Sequence, residues 1–189
     1  MNTPSHFLMT AALEKALPRI PIVKTAFLWG AIVPDLPLWF LSTGGLIYYR
    51  WILGWEAAET FQMMFDNLFF QHPVWITAHN LLHAPLILLL GIAITWRSRR
   101  NIGSRSRWLF WFFVACALHT SVDILTHAGD GPLLAFPLDW QTRFNSPISY
   151  WDDRYYGKEF QRFEFSLNAF CLIYLLTPSI VRWMRRRGI

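Results

Sequence analysis

Residues 108–127 read WLFWFFVACALHTSVDILTH and contain a long apolar run followed by three regularly spaced titratable side chains. The run 108–118 is apolar at every position, which is typical of a helix that faces lipid on all sides. His119, Asp123 and His127 then follow at steps of four residues, so they lie along one side of a helix and drift about 40° per step. The stretch predicts a transmembrane helix with a polar stripe at one end.

The composition of the whole chain agrees with a membrane protein. Of 189 residues, 54% are hydrophobic, 17% aromatic and 15% charged, with 11 Trp and 16 Phe, and the mean hydropathy is +0.27. These values exclude disordered, coiled-coil and collagen chains and exceed the needs of one water-soluble core. The net charge of +5 comes from basic residues beside apolar segments, so we expect no nucleic-acid partner. Cys116 and Cys171 lie in apolar runs without CxxC spacing, which indicates small core residues.

Four apolar stretches are long enough to cross or nearly cross a bilayer. They cover residues 20–41, 74–96, 108–125 and 165–183. All should be helical, because an open strand would leave backbone polar groups unpaired in lipid. We therefore predict an all-α, integral membrane helical bundle of about four transmembrane helices, forming one domain over residues 1–189. An amphipathic helix over 5–17 precedes it, and Pro34 and Pro37 indicate that the first stretch is broken or re-entrant.

Basic segments predict the orientation of these spans. Residues 97–107 carry five Arg and no acidic residue, and residues 182–189 carry four more Arg, which places both on the cytoplasmic side. Both termini are then cytoplasmic, as expected for a multi-pass membrane protein with an even number of spans, and 43–73 and 126–164 form outer segments. The second is a long outer loop. The N-terminus lacks the basic region and cleavage site of a removable signal, so the mature chain should begin near Met1.

The histidines are spaced as metal ligands. His79 and His83 are four residues apart, which puts both imidazoles on one helical face. His119, Asp123 and His127 repeat that step twice, and we call these three residues the ladder. Nitrogen and oxygen ligands without thiolate suit zinc, manganese or iron better than copper(I). We expect one to three divalent ions, with zinc favoured and manganese the alternative. Without metal, the same residues would form a proton or ion pathway.

The predicted topology brings all these groups to one depth. Both histidine pairs fall near the outer ends of their spans, Glu164 opens the fourth span on that side, and Asp35 lies toward the outer end of the first. Ionisable side chains inside a membrane are costly, so their convergence indicates a functional site facing the outer side. Spacing alone does not decide whether His6 and Asp35 are ligands, because His6 has no titratable neighbour at a four-residue step and Asp35 could pair locally at its proline-flanked turn.

Several motifs occur in an order that resembles a known family. TPSHFLM (3–9), GAIVPD (30–35), HNLLH (79–83), HTSVD (119–123) and SPISYWD (146–152) precede Glu164. Together they resemble the bacterial inner-membrane-associated, metal-dependent hydrolase family (YdjM-like), which is thought to be distantly similar to zinc-dependent phospholipase C. The resemblance implies that the candidate ligands include His6, Asp35, His79, His83, His119 and Asp123. The chain departs from the family at residues 34–37, where PDLP replaces the common PDxD.

The resemblance also implies a function. We expect a membrane-bound metal-dependent hydrolase that cleaves a phosphoester or phospholipid-like substrate at the outer leaflet with metal-activated water. Asp123 would bridge ions, Arg143 would stabilise the leaving oxygen, and Asp152 is a candidate acid–base group. His127 and Glu164 complete the predicted ligand set. The expected partners are the lipid bilayer and an amphiphilic or phosphoester substrate. The alternative is a non-catalytic metal- or proton-binding membrane bundle, acting as an interaction protein or carrier, and a transporter ranks third.

Overall fold

The chain is mostly helical, and its computed structural model describes residues 1–100 and 103–186. Small parts of both basic segments, residues 101–102 and 187–189, lie outside the described residues. The helices are α1 (Thr3–Ala16), α2 (Lys24–Gly30), α3 (Leu36–Leu46), α4 (Ala57–Gln62), α5 (Pro73–Asn80), α6 (Pro85–Thr95), α7 (Arg105–Thr126) and α8 (Gly157–Arg186). Helix α3 continues as π-helical turns at Ile47–Ile52, and α4 as π-helical turns at Met63–Leu68 and an α-turn at Phe69–Gln71. Short 3₁₀ turns occur at Trp96–Arg100 and Asp153–Tyr155.

Helix α7 is the centre of the fold. It packs against α2 on one side and α6 on the other, while α1 packs against α8. Ala26, Leu88, Phe112 and Cys116 form the core between α2, α6 and α7, and all four are buried. The small side chains at Ala26 and Cys116 allow the close helix approach that is common in membrane proteins. The two cysteines are free and buried, as predicted.

Helix α7 is also long and apolar enough to cross a membrane. Within residues 1–100 and 103–186, no other continuous helix meets both conditions. Helix α7 coincides with the predicted span 108–125. The predicted span 74–96 is divided instead into α5 and the segment Pro85–Arg100, which meet at a 45° bend and could together make a second, broken span. Pro85 explains the break, because it has no backbone N–H and its ring clashes with a preceding helical turn.

The other two predicted spans are not confirmed. Residues 20–41 are divided into α2 and α3 by a turn that contains Pro34, which is the broken form that the two prolines predicted. Residues 165–183 lie inside α8, which is not among the candidate spans of the described chain. A bundle of about four transmembrane helices is therefore not confirmed within residues 1–100 and 103–186.

The predicted outer loop contains an antiparallel ribbon, which corrects the all-α expectation. Strands β1 (Ala128–Leu133) and β2 (Arg143–Asn145) pair with Ala128 opposite Asn145 and Leu133 opposite Arg143. The ribbon follows α7 because the sequence turns to AGDGPL, in which glycine and proline do not continue a helix. Gly129 adopts a φ of +89°, which favours glycine.

Asn80 joins the ribbon to the helices. Its side chain is fully buried, its Nδ2 donates to the Ile76 carbonyl at 2.8 Å, and its Oδ1 accepts from the Leu133 backbone N–H at 2.6 Å. Leu133 itself packs with Ile76, Ala84 and Phe136 in a second small core. The position of the ribbon relative to α5 therefore depends on one buried amide.

Replacing Asn80 by Ala should lower the free energy of unfolding by about 1–3 kcal/mol, because the buried N–H of Leu133 would lose its acceptor. The measurement is thermal or denaturant unfolding of the purified protein in detergent. Asn67→Ala is the matched control, since Asn67 is exposed and its side chain makes a long 3.3 Å contact with the Gln62 carbonyl. Equal destabilisation by the two variants would contradict the role assigned to Asn80.

Candidate metal centre

Four side chains from three separate parts of the chain converge beside α7. Asp35 precedes α3, His83 lies in the break between α5 and α6, and His119 and Asp123 are one turn apart on α7. One ligand atom from each lies within 4.8 Å of the others. His83, His119 and Asp123 are buried and Asp35 is half-buried. We refer to these four residues as the four-ligand cluster, which could hold a metal ion.

The distances within the four-ligand cluster are those of a coordination sphere. His83 Nε2 lies 3.2 Å from His119 Nε2 and 3.3 Å from Asp35 Oδ1. His119 Nε2 lies 3.4 Å from Asp35 Oδ1 and 3.0 Å from Asp123 Oδ2, and His83 Nε2 lies 3.6 Å from the same Asp123 oxygen. Zinc binds nitrogen and oxygen at about 2.0–2.2 Å, so neighbouring ligands of a tetrahedral site are about 3.3–3.6 Å apart.

The hydrogen bonds of the two imidazoles orient their Nε2 atoms toward the four-ligand cluster. His83 Nδ1 lies 2.6 Å from the His79 carbonyl, and His119 Nδ1 lies 3.0 Å from the Ala31 carbonyl. Each Nδ1 can only donate to a carbonyl, so in a neutral ring the Nε2 atom carries the lone pair. Two such lone pairs then face each other and two carboxylates. The donor set fits a divalent ion that prefers nitrogen and oxygen ligands.

His6 lies on the other side of Asp123. Its Nε2 is 2.9 Å from Asp123 Oδ1, and its ring stacks on His119 with the centroids 3.6 Å apart. The α-amino group of Met1 also contacts this oxygen at 2.9 Å. Burial lowers the pKa of His6, against the opposing effect of the Asp123 carboxylate, so the ring is neutral. The two oxygens of Asp123 therefore face different groups, which is the geometry that a bridging carboxylate requires.

Glu164 does not join the four-ligand cluster. Its two oxygens accept from the backbone N–H and side-chain amide of Asn2, at 2.8 and 2.9 Å. Asn168, one turn further along α8, donates to Ser5 at 2.7 Å. Thr3 also donates a hydrogen bond to Asp35. These contacts hold the start of α1 against α8, and they position His6 beside Asp123. The sequence contained no periodic signal for Asn2, Thr3 or Asn168.

A cleft of about 520 Å³ adjoins the four-ligand cluster, and two of the predicted ligands line it. The ring of His79 stacks on that of His83 with centroids 4.8 Å apart, and neither of its ring nitrogens has a hydrogen-bond partner. His127 donates from Nδ1 to the Asp123 carbonyl at 2.9 Å, and that nitrogen is 3.8 Å from Asp123 Oδ1. Because α7 ends at Thr126, the third position of the ladder turns toward the cleft.

The two predicted catalytic residues outside the helices occupy different surroundings. Arg143 donates to the Gly131 carbonyl, and its guanidinium lies 5.4 Å from the rings of Phe69 and Phe70. Burial lowers the pKa of Arg143, and the charge of Asp130 opposes that effect. Asp152 lines the cleft and pairs with Arg154 at 2.6 Å.

Hydrogen bonds from the Arg154 side chain and backbone N–H keep the pKa of Asp152 below its ordinary value. Its carboxyl group therefore stays ionised near neutral pH. The cleft also contains Asp66 and Asp130, which the sequence did not single out, and Trp151, which lies in the motif SPISYWD. Asp66 belongs to no spaced motif of ligand type, and Asp130 lies in strand β1, three residues after His127.

Comparison with known proteins yields one finding. The family model described as YdjM inner membrane protein matches residues 1–187. No curated protein and no solved structure matches the chain. The matched range includes every member of the four-ligand cluster and suggests an inner-membrane location. The further likeness to zinc-dependent phospholipase C stays a prediction from the sequence motifs.

Proposed function

The chain belongs to the YdjM inner membrane protein family, and from this premise we propose that it is a membrane-bound, metal-dependent hydrolase that acts on a phosphoester of an amphiphilic molecule. The observation that carries the proposal is the pair of Nε2 atoms 3.2 Å apart, whose rings are each oriented by a backbone carbonyl toward two carboxylates. Such convergence is expensive inside an apolar protein unless a cation compensates it.

Asp35, His83, His119 and Asp123 would hold the ion, with zinc or manganese as the candidates. A divalent ion there supplies a water activated near neutral pH and polarises a phosphoryl oxygen. The carbonyls of His79 and Ala31 keep the two imidazoles oriented, a role whose loss typically reduces metal affinity about 10–100-fold. Asp123 Oδ1, with His6 Nε2, offers a position for a second ion, in keeping with the bridging role proposed for Asp123.

The cleft residues can handle the proton that a leaving oxygen needs. His79 has two ring nitrogens without partners and lies beside His83, so it can present a proton toward the cleft. Asp152 is held ionised by Arg154 and suits positioning better than proton donation. Arg143 does not line the cleft, but it donates to Gly131 and lies 5.4 Å from the rings of two phenylalanines that do, which suits a fixed positive charge beside the cleft wall.

An amphiphilic substrate is supported by the surface next to the cleft. Leu38 lines the cleft, and the next residues of α3, Trp39 and Phe40, are exposed. Trp51 and Ile52, further along the same helical segment, are also exposed. Exposed apolar side chains of this size suit contact with a membrane or lipid. We propose that the cleft opens at the outer headgroup level of the inner membrane, with both termini cytoplasmic.

The competing function is a non-catalytic bundle that binds metal or a proton. One observation favours it, because His119 Nε2 and Asp123 Oδ2 are 3.0 Å apart and could share a proton in place of a metal. The two forms of the competing function each lack one requirement of the hydrolase: a proton-sharing pair needs no divalent ion, and a structural metal site needs no substrate cleft.

The test of the proposed function is hydrolysis by metal-loaded protein in detergent or nanodiscs. Phosphodiester and phospholipid substrates are supplied with zinc or manganese, and release of the phosphomonoester and the alcohol is measured. We expect turnover that a chelator abolishes and that re-addition of metal restores. Asp153→Asn is a suitable control, since Asp153 is exposed and pairs with Lys158 away from the cluster. Metal binding without turnover on any of these substrates would favour the non-catalytic bundle.

A further inference from the structure

The lining of the cleft next to the four-ligand cluster contains more carboxylates than basic side chains. Its lining contains Asp66, Asp130, Asp152 and a single Arg, Arg154. Arg154 is bound to Asp152, and neither Asp66 nor Asp130 forms a salt bridge within residues 1–100 and 103–186. Arg143 lies near enough to Asp130 for their charges to interact, but its guanidinium already donates to the Gly131 carbonyl.

Two polar groups in the cleft lack partners. Asp130 Oδ2 accepts from Trp151 Nε1 at 2.8 Å, while its Oδ1 is buried and accepts from no group. His79 is 7% exposed, and both of its ring nitrogens are buried without a partner. A neutral imidazole always has one acceptor nitrogen. A carboxylate oxygen and a ring nitrogen that both lack a donor indicate a ligand that brings donors of its own.

Aromatic rings form much of the remaining wall. They are those of Phe65, Phe69, Phe70, Tyr150 and Trp151. The faces of such rings attract ammonium groups, and the attraction strengthens when the cation leaves water. Carboxylates with aromatic faces therefore favour an organic cation over a second anion. An anionic group in the cleft would lie near Asp66 and Asp130, neither of which has a salt-bridge partner in the described residues. The one nearby guanidinium that is not paired with a carboxylate is that of Arg143.

From this lining we infer that the cleft binds an ammonium group carried by the substrate, so that the substrate is a phosphoester whose alcohol or headgroup bears an amine. The inference rests on the proposed function, in which the phosphoryl group lies at the four-ligand cluster. His79 and His127 border both the cluster and the cleft, so a phosphoryl group and an ammonium group of one zwitterionic headgroup occupy adjoining places. Asp66 and Asp130 bind the ammonium group, and the rings exclude water around it.

The test compares lipids that differ only in the headgroup. Metal-loaded protein in detergent is incubated with an equimolar mixture of phosphatidylethanolamine and phosphatidylglycerol of identical acyl chains, and bound lipid is measured by native mass spectrometry. We expect the ethanolamine lipid to be bound in preference by about fivefold or more. In the Asp66→Asn, Asp130→Asn variant the ratio should fall to near one. The amide introduced by Asp130→Asn keeps an oxygen that can accept from Trp151, and Asp66 is exposed, so folding should be retained.

Glu56→Gln is the matched control, because Glu56 is an exposed carboxylate outside the cleft, and its lipid ratio should equal that of wild type. No preference in wild type, or a preference that survives in the double variant, would overturn the inference. Competition with excess soluble glycerophosphoethanolamine distinguishes a soluble phosphoester from an intact lipid as the source of the bound headgroup. Displacement of the lipid shows that the amine-bearing headgroup alone is bound, and retention shows that the acyl chains are needed as well.

The binding measurement does not depend on turnover, so the two proposals fail separately. Selective binding of the ethanolamine lipid without hydrolysis under any metal condition would refute the hydrolase and leave a lipid-binding cleft. Hydrolysis that proceeds equally on amine-bearing and amine-free phosphoesters would refute the ammonium site and leave the hydrolase in place.

Discussion

Purified protein with His119 and Asp123 both replaced by Ala should contain no divalent metal, whereas the wild type should retain at least one equivalent of zinc or manganese per chain. The two residues provide Nε2 and Oδ2 of the four-ligand cluster, 3.0 Å apart. Their removal leaves only Asp35 and His83, which is fewer than the three or four protein ligands of a typical zinc site. Hydrolysis should fall with the metal, by about 10⁴-fold or more if activated water carries the reaction.

Inductively coupled plasma mass spectrometry of detergent-purified protein measures the metal content. The variant must first match wild type in monodispersity and helical content, because Asp123 also accepts from the α-amino group of Met1. Asp153→Asn serves again as the carboxylate control and should keep the wild-type stoichiometry. Wild-type protein that stays metal-free after incubation with both ions would rule out the metal centre. A double variant that retains its metal would place the ion elsewhere.

Replacement of Gly30 by Val should have the second largest effect. A Cβ atom at Gly30 would lie 2.5 Å from the Phe112 carbonyl oxygen and 2.7 Å from Ala115 Cβ, both on α7. The first neighbour is backbone and cannot rotate away, so α2 would have to move from α7. Overpacking of this kind costs about 1–3 kcal/mol, and occasionally more. We therefore expect a lower melting temperature and a lower yield of monodisperse protein.

The same substitution should weaken metal binding without touching a ligand. Ala31 follows Gly30, and its carbonyl accepts the hydrogen bond from His119 Nδ1 that directs Nε2 into the cluster. A shift of α2 disturbs that bond, and a loss of about 10–100-fold in metal affinity is typical for such orienting groups. Metal titration and thermal unfolding of the same sample measure both effects.

Gly44→Ala is the control for Gly30. A Cβ atom at Gly44 would have no neighbour within 4 Å, and Gly44 lies within helix α3, where Ala is favoured over Gly by up to about 1 kcal/mol. This variant should match or exceed wild-type stability and bind metal normally. If Gly30→Val proved as stable as Gly44→Ala, the close approach of α2 and α7 would not be what positions His119.

Sequence periodicity predicted the parts of the site that lie on one continuous helix. Residues 108–118 form a helix because every side chain is apolar, and His119 and Asp123 share a face because about 3.6 residues make a turn. Both consequences are local, so no knowledge of the neighbours was required. The structure places both residues on α7, with His119 Nε2 and Asp123 Oδ2 3.0 Å apart.

Prediction was weaker wherever a helix ended. His79 and His83 were expected to share one helical face, but α5 ends at Asn80, and Pro85 begins a new helix. His83 therefore joins the four-ligand cluster while His79 lines the cleft. His127 is separated from the ladder for a similar reason, since α7 ends at Thr126. A spacing rule applies only while the helix continues, and the glycines and prolines that end it lie close to the ligands.

The sequence alone determined that this is an apolar helical protein, that residues 108–125 form an apolar helix, and that aspartate and histidine without thiolate form its candidate ligands. Only the tertiary structure decided which of those ligands meet. Asp35 joins His119 because α2 packs on α7 at Gly30, and Glu164 holds Asn2 because α8 packs on α1. Such contacts depend on helix packing between distant segments, and the spacing of residues along one helix carries no information about them.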